Sequence, residues 1–253
     1  MKSSDKGYAG AVSGSDGGDC GNRPECSGSP EYPDYRECQD RYDRRENPDC
    51  GDCGVTERAA RLVLGSQSPR RREILAMLGI PFCIEPVKGH GESYPDGMEP
   101  AEVPEFLARG KAADFARELR RGEVLVCADT LVFLDSAILG KPSCRDEAVE
   151  MLRSLSGREH CVRTGVALKS CDGRLSSFTD TTFVEFKPLP EADILYYVDT
   201  FAPFDKAGAY GIQEWIGITG IRAIRGSYFN VMGLPLHPLY TELRKIGHFS
   251  PAT

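Results

Sequence analysis

The first 58 residues contain no leucine, isoleucine, phenylalanine or tryptophan. A segment without these side chains cannot bury enough apolar surface to offset the entropy of ordering its backbone. Residues 1–58 therefore read as a disordered tail. The tail carries 13 acidic and 8 basic side chains, so it holds most of the net charge of −7. It has no histidine, and its five cysteines (Cys20, Cys26, Cys38, Cys50, Cys53) include one Cys-x-x-Cys pair. A structural zinc site takes four ligands at compatible spacing. One pair without a second pair or a histidine argues against such a site.

Other absences narrow the class of protein. No apolar run approaches membrane-spanning length. The N-terminal residues lack the apolar core of a secretory signal. A basic excess, the usual footprint of a nucleic-acid binder, is also missing. These absences point to a soluble, cytoplasmic protein with no nucleic acid or membrane as partner. The remaining cysteines (Cys83, Cys127, Cys144, Cys161, Cys171) are scattered without the spacing of a disulfide framework.

From Arg61 onward the pattern is that of an α/β domain. Strands are expected over about Arg61–Gly65, Glu123–Ala128, His160–Leu168, Ser176–Phe186 and Ile216–Ile224. Helices are expected over Pro69–Leu78, Pro104–Leu119, Asp146–Leu155, Glu191–Val198 and Leu236–Ile246. A turn at Asp172-Gly173 joins two of the strands as a hairpin. The other strands alternate with helices, so the sheet should be mixed.

The most informative stretch is Leu62-Val63-Leu64-Gly65-Ser66-Gln67-Ser68-Pro69-Arg70-Arg71-Arg72. An apolar run breaks into small polar residues, then a helix begins. Ser68 is a good N-cap and Pro69 suits the first helical position. Arginines in a first turn oppose the helix dipole, and a bound anion would relieve both. The stretch reads either as a polyphosphate seat or as a solvated basic turn.

Val124-Leu125-Val126-Cys127-Ala128-Asp129-Thr130 reads as a buried strand ending in a carboxylate and a hydroxyl. Ligands of open α/β sheets sit beyond the carboxyl ends of strands. Asp129 there could hold a divalent metal, activate water, or merely cap a turn. Lys141 in Gly140-Lys141-Pro142 and Lys111 within a helix are weak candidates singly. Glu92, in a Gly/Pro-rich loop from Lys88 to Pro100, could help Asp129 bind a metal or could simply be solvated. In Asp205-Lys206-Ala207-Gly208-Ala209-Tyr210-Gly211-Ile212-Gln213, two glycines flank an Ala-Tyr step and permit close backbone approach. Lys206 could contact phosphate there, and Gln213 could read a base edge. Asn230 to Pro235 reads as a structural turn into the last helix.

Together, Ser66-x-Ser68-Pro69-Arg70-Arg71, Asp129-Thr130, Gly140-Lys141-Pro142, Leu155-Ser156-Gly157-x-x-His160 and Lys206 to Gln213 resemble the ordered motifs of Maf-like nucleoside triphosphate pyrophosphatases. The resemblance covers about Arg61 to Gly247 and leaves out the tail. It implies a domain over residues 59–249 with a mixed α/β fold of two lobes around a central cleft, related to the inosine triphosphate pyrophosphatases. It implies hydrolysis of a nucleotide to its monophosphate and pyrophosphate with a divalent metal, Mg²⁺ or Mn²⁺. Asp129 matches the family's proton acceptor. Arg70, Thr130 and Gln213 match positions associated with substrate choice. Ser66, Arg71, Lys111, Lys141 and Lys206 match polar positions lining the cleft. Arg70 with Asp129-Thr130 resembles the branch acting on dTTP and UTP, and a homodimer is compatible with the family.

Two departures stand near the cleft. Gly65 and Gln67 replace the commoner Ala and Gly around Ser66, and Phe201-Ala202-Pro203 stands where many members have Gly-Glu-Pro. The alternatives are a non-catalytic nucleotide-binding regulator of cell division, and an enzyme for a different nucleotide or phosphorylated metabolite.

Overall fold

The computed structural model describes residues 61–88, 91 and 93–247. The acidic tail with its cysteines, and Glu92, lie outside the described residues. Seven strands form one mixed sheet: β1 (Arg61–Leu64), β2 (Phe82–Ile84), β3 (Glu123–Leu134), β4 (Ala137–Leu139), β5 (Glu159–Ser170), β6 (Leu175–Phe186) and β7 (Ile221–Arg225). Among the described residues, seven α-helices accompany them: α1 (Pro69–Ala76), α2 (Val103–Ala113), α3 (Arg145–Leu155), α4 (Glu191–Phe201), α5 (Trp215–Gly220), α6 (Tyr228–Met232) and α7 (Leu236–Lys245). No helix among the described residues is long and apolar enough to cross a membrane. The five cysteines in this region are free thiols.

The sheet runs β2-β1-β3-β5-β6-β7, with β1 parallel to both β2 and β3 and the later pairs antiparallel. On one side of β3, β5 pairs continuously from Val124 to Phe133. The other side is shared. β1 holds Arg61–Leu64 against Glu123–Val126, and β4 holds Ala137–Leu139 against Val132–Leu134. The edge of β3 is therefore left open at residues 128–131, between two flanking strands. That split creates the cleft.

The period of two along β3 sends alternate side chains to opposite faces. Val124, Val126, Ala128 and Val132 join the larger core, with Leu152 and Leu155 of α3, Tyr197 of α4 and Leu239 of α7. Leu125 and Cys127 face the other way, into a smaller core with Val63, Ala167 and the small side chains Ala108 and Ala112 of α2. Burying a leucine such as Leu152 or Leu155 contributes about 1.5–3 kcal/mol to stability.

Four expectations from the sequence need correction. The strand expected to end at Ala128 continues to Leu134, so Asp129 lies within a strand and not at its end. Polar residues interrupt the apolar run because the edge opens there, while β5 keeps the backbone extended. The helix expected to reach Leu119 stops at Ala113, with Asp114 as its cap. Beyond it, Arg117 is clasped by Glu85 and Glu123. Phe115 and Leu119 still pack on the smaller core, but from non-helical chain. Residues 216–220, expected as the start of a strand over Ile216–Ile224, belong to α5, and only Ile221–Arg225 are extended. A Cβ on Gly217 would lie 2.1 Å from the Ile212 carbonyl oxygen, so a close tertiary approach overrides the local β pattern. Finally, residues 230–232, read as the start of a turn, belong to a short helix, α6, capped by Ser227, whose side chain accepts from the Asn230 backbone N–H.

Candidate active site

The turn between β1 and α1 forms as its sequence dictates. Ser68 is the N-cap, its hydroxyl accepting from the Arg71 N–H at 3.5 Å, and Pro69 occupies the first turn. The Ser66 hydroxyl accepts from the Ser68 N–H at 3.2 Å. No acidic residue balances the first turn. Gly65 has a structural reason: a Cβ there would lie 2.6 Å from the Cys127 sulfur.

Arg70 and Arg71, two of the three arginines of α1, diverge. Arg71 turns inward. Its Nε donates to the Gly233 carbonyl at 2.8 Å, Nη1 to the Ser66 hydroxyl at 3.3 Å and Nη2 to the Thr130 hydroxyl at 3.1 Å. Burial lowers its pKa, partly offset by the Asp129 charge. Arg71 thus ties the β1–α1 turn, β3 and the α6–α7 turn together. Arg70 reaches across to Asp205, 2.7 Å away.

Asp129 is 7% exposed and forms an ion pair with Lys111 of α2 through Oδ2. This pair depends on a glycine. Gly165 of β5 stands directly opposite Asp129 in register. A Cβ on Gly165 would lie 2.2 Å from the Pro104 backbone carbon, so only glycine lets the start of α2 rest on the sheet. Asp129 shares the face of β3 that α2 covers. Thr130 points to the opposite face, where its hydroxyl lies 3.0 Å from that of its register partner Thr164. Thr164 in turn donates to the Asn230 backbone carbonyl at 3.0 Å.

The opposite wall comes from Asp205–Gln213. Gly208 adopts φ +68 and donates its N–H to the Gly140 carbonyl at 3.0 Å, which brings the Lys141 and Lys206 segments side by side. Lys206 is only 9% exposed and contacts Asp205 at 2.7 Å and Glu214 at 3.0 Å. Burial alone would raise the Asp205 pKa, but hydrogen bonds from Lys206 and Arg70 outweigh it and hold the carboxyl at about 2. Glu214 also accepts from the Tyr197 hydroxyl, which itself receives the Gly211 N–H at 3.1 Å.

These walls enclose a cavity of about 510 Å³, within the usual size of a small-molecule site. Ser66, Arg70, Arg71, Lys111, Asp129, Thr130, Lys141, Lys206 and Gln213 all line it. Glu92 lies outside the described residues. His160 does not line the cavity. Its Nε2 lies 2.7 Å from the Tyr210 hydroxyl, its ring stacks on Phe186, and burial pushes its pKa down to about 4. The Leu155 to His160 motif is thus a support behind the cavity wall. Sequence reasoning missed Asp205, Glu214, Tyr197, Thr164 and Gly165 as parts of the site. Of these, Asp205 and Glu214 could have been found, as acids flanking the Lys206 to Gln213 motif. A threonine and a glycine within a strand carry no local signal.

The donor set also tests the fit of a divalent cation. Among the described residues, no group of three or more His, Cys, Asp or Glu side chains is placed to hold one. A cation of the Mg²⁺ type needs fewer, since it takes one or two carboxylates and draws its other ligands from water and substrate phosphates. Asp129, held by Lys111 on one oxygen, leaves the other for that purpose. The residues present fit such an ion.

A mixed sheet split at one edge, with five cationic side chains around a cavity that a nearly buried carboxylate also lines, defines an α/β site for a polyanionic ligand. The chain belongs to the Maf-like protein family, which matches residues 61–246. It is 48% identical over 186 residues to the dTTP/UTP pyrophosphatase of Bacteroides thetaiotaomicron, covering 74% of this chain and 96% of that one. It is 47% identical over 189 residues to the dTTP/UTP pyrophosphatase of Porphyromonas gingivalis, covering 74% and 94%. Among solved structures, the Staphylococcus aureus Ham1 protein matches with a TM-score of 0.43 and 14% identity, over 74% of this chain and 99% of that one.

Proposed function

We propose that residues 59–249 form a nucleoside triphosphate pyrophosphatase that hydrolyses dTTP and UTP to the monophosphate and pyrophosphate. One observation carries the reading. Arg70, Arg71, Lys111, Lys141 and Lys206 converge on one cavity that Asp129 also lines. A nucleoside triphosphate brings about four negative charges, and phosphoryl transfer is helped mainly by positioning and electrostatic stabilisation. The high identity to relatives named dTTP/UTP pyrophosphatases supports the substrate class.

In this reading the cations hold the phosphates. Lys111 fixes Asp129 through Oδ2, and the other carboxylate oxygen orients a water and takes its proton. The water oxygen bonds to the α-phosphorus, the bond from that phosphorus to the bridging oxygen breaks, and pyrophosphate leaves with the bonding electron pair. A bound Mg²⁺ would neutralise phosphate charge and acidify the water; if Asp129 held the ion through its free oxygen, it would serve as metal ligand in place of the base. Ion pairing with Asp205 holds Arg70 and Lys206 in place before a phosphate arrives.

The base edge falls to Gln213 and Thr130. Uracil and thymine present a C4 keto acceptor, an N3–H donor and a C2 acceptor, and a glutamine amide offers both a donor and an acceptor. Cytosine has no N3–H and carries an amino group at C4, so an amide held with its N–H toward C4 would meet a donor and be left unpaired. The test is kcat/KM for dTTP, UTP, dCTP, CTP and 7-methyl-GTP, from pyrophosphate release. The expected order favours dTTP and UTP. Gln213→Leu should lower kcat/KM for these two by about tenfold and narrow the gap to CTP. A wild-type preference for CTP or 7-methyl-GTP would show that the base assignment is wrong.

A further inference from the structure

Thr130 lines the cavity, and its hydroxyl already has two partners, Arg71 and Thr164. A hydroxyl has one proton and two lone pairs. Arg71 Nη2 donates into one lone pair at 3.1 Å. The Thr164 hydroxyl lies 3.0 Å from the Thr130 oxygen, and one of the two must be the donor. Thr164 is fully buried and sits 3.0 Å from the Asn230 backbone carbonyl, which can only accept. If Thr164 turned its proton toward Thr130, two oxygen acceptors would face each other at 3.0 Å with nothing between them. Burial makes such a pairing costly. The proton of Thr164 therefore goes to Asn230, and that of Thr130 goes to Thr164. Asn230 is itself anchored, its Nδ2 donating to the Val162 carbonyl and the Thr182 hydroxyl at 3.0 Å each.

We propose that Thr164 is a positioning residue for base selectivity: it takes the Thr130 proton, so Thr130 faces the cavity only as an acceptor and favours an imide N–H over a ring-nitrogen lone pair. This rests on the dTTP/UTP reading above and goes further by assigning the direction of one hydrogen bond. With Thr164 in place, the remaining lone pair of Thr130 can accept the N3–H of uracil or thymine, and the Gln213 amide N–H is left to donate to the C4 keto oxygen. Cytosine would present its N3 lone pair to that oxygen, an acceptor against an acceptor. Thr164 touches no substrate, because it is buried on β5 behind Thr130.

The experiment measures kcat/KM for UTP and CTP with Mg²⁺ on the full chain, in wild type, Thr164→Val and Thr164→Ser. Valine keeps the shape but removes the acceptor, freeing the Thr130 proton to donate to cytosine N3. The UTP-to-CTP ratio should fall by about tenfold in Thr164→Val, chiefly through a gain on CTP, as expected for one hydrogen bond gained or lost. Thr164→Ser keeps the acceptor and should keep the ratio. If the valine variant does not fold, Thr164→Ala replaces it with the same expectation. An equal loss on both nucleotides in the valine or alanine variant, with the ratio unchanged, marks Thr164 as structural and overturns the proposal. So does a serine variant that shifts the ratio as much as valine. Wild type that fails to release pyrophosphate from UTP sinks the underlying reading as well. Wild type that prefers UTP, with an unchanged ratio in the variant, sinks the hydroxyl relay alone.

Discussion

Asp129→Asn keeps the size of the side chain and removes its charge and basicity. Three consequences follow from its surroundings, and the first two move in opposite directions. As base or metal ligand, Asp129 should be worth roughly 10²–10⁴ in kcat. As a charge, it opposes the substrate. Among the described residues, the charged side chains lining the cavity are Arg70, Arg71, Lys111, Lys141 and Lys206 against Asp129 and Asp205, a balance of +3 that the substitution raises to +4. It also frees Lys111 for phosphate, since the ion pair is lost. Allowing for solvent at an open cavity, one fewer like charge beside the polyphosphate should favour binding by about 1 kcal/mol, a KM about fivefold lower. Lys111 loses its partner in a pair whose side chains are 20% and 9% exposed. This should cost about 1–2 kcal/mol, less than for a fully buried pair, or a few degrees in Tm. Steady-state kinetics on dTTP and a thermal melt test all three effects. A near-normal kcat, or an unchanged kcat with a raised KM, would refute the argument, because either outcome makes Asp129 a binding group only.

Gly165→Ala should lower stability by about 3 kcal/mol or more, since its Cβ would meet the Pro104 backbone at 2.2 Å and backbone cannot yield as a side-chain tip can; a wild-type melting temperature would contradict this. His160 is held near a pKa of about 4 in the fold against about 6.5 when unfolded. The unfolded chain therefore binds the extra proton, and the contribution of neutral His160, about 3 kcal/mol, is fully present above pH 6.5 and lost as pH falls from there toward 4. Denaturant titrations between pH 7 and 5 should show this loss in wild type and a much shallower one in His160→Gln. Removing residues 1–58 should leave turnover and Tm nearly unchanged, because the family match and the described cavity residues lie beyond them. Zinc bound stoichiometrically by the full chain and lost on truncation would show that the tail cysteines have a role of their own.

Local chemistry in the sequence determined the parts of this site that local forces build. Ser68 and Pro69 start α1 because a side-chain cap and a fixed φ act within one turn. The hairpin between β5 and β6 follows from alternating strands around Asp172-Gly173, where Gly173 adopts φ +82. The cations and Asp129 were legible as a set because their motifs stand in a recognisable order, although no spacing along the chain brings them together. Only the tertiary structure placed Asp129 in the middle of a strand, because the open edge of β3 depends on where β1 stops and β4 begins. The tertiary structure alone also made Gly165 the seat of α2 and turned Trp215–Gly220 into a helix, since both rest on approaches between segments distant in the chain or tightly folded back. The direction of the Thr130 hydroxyl was decided there too. It depends on a threonine 34 residues away and a carbonyl 66 residues beyond that one. Hydrogen-bond direction is a property of neighbours in space, and a sequence orders only neighbours along the chain.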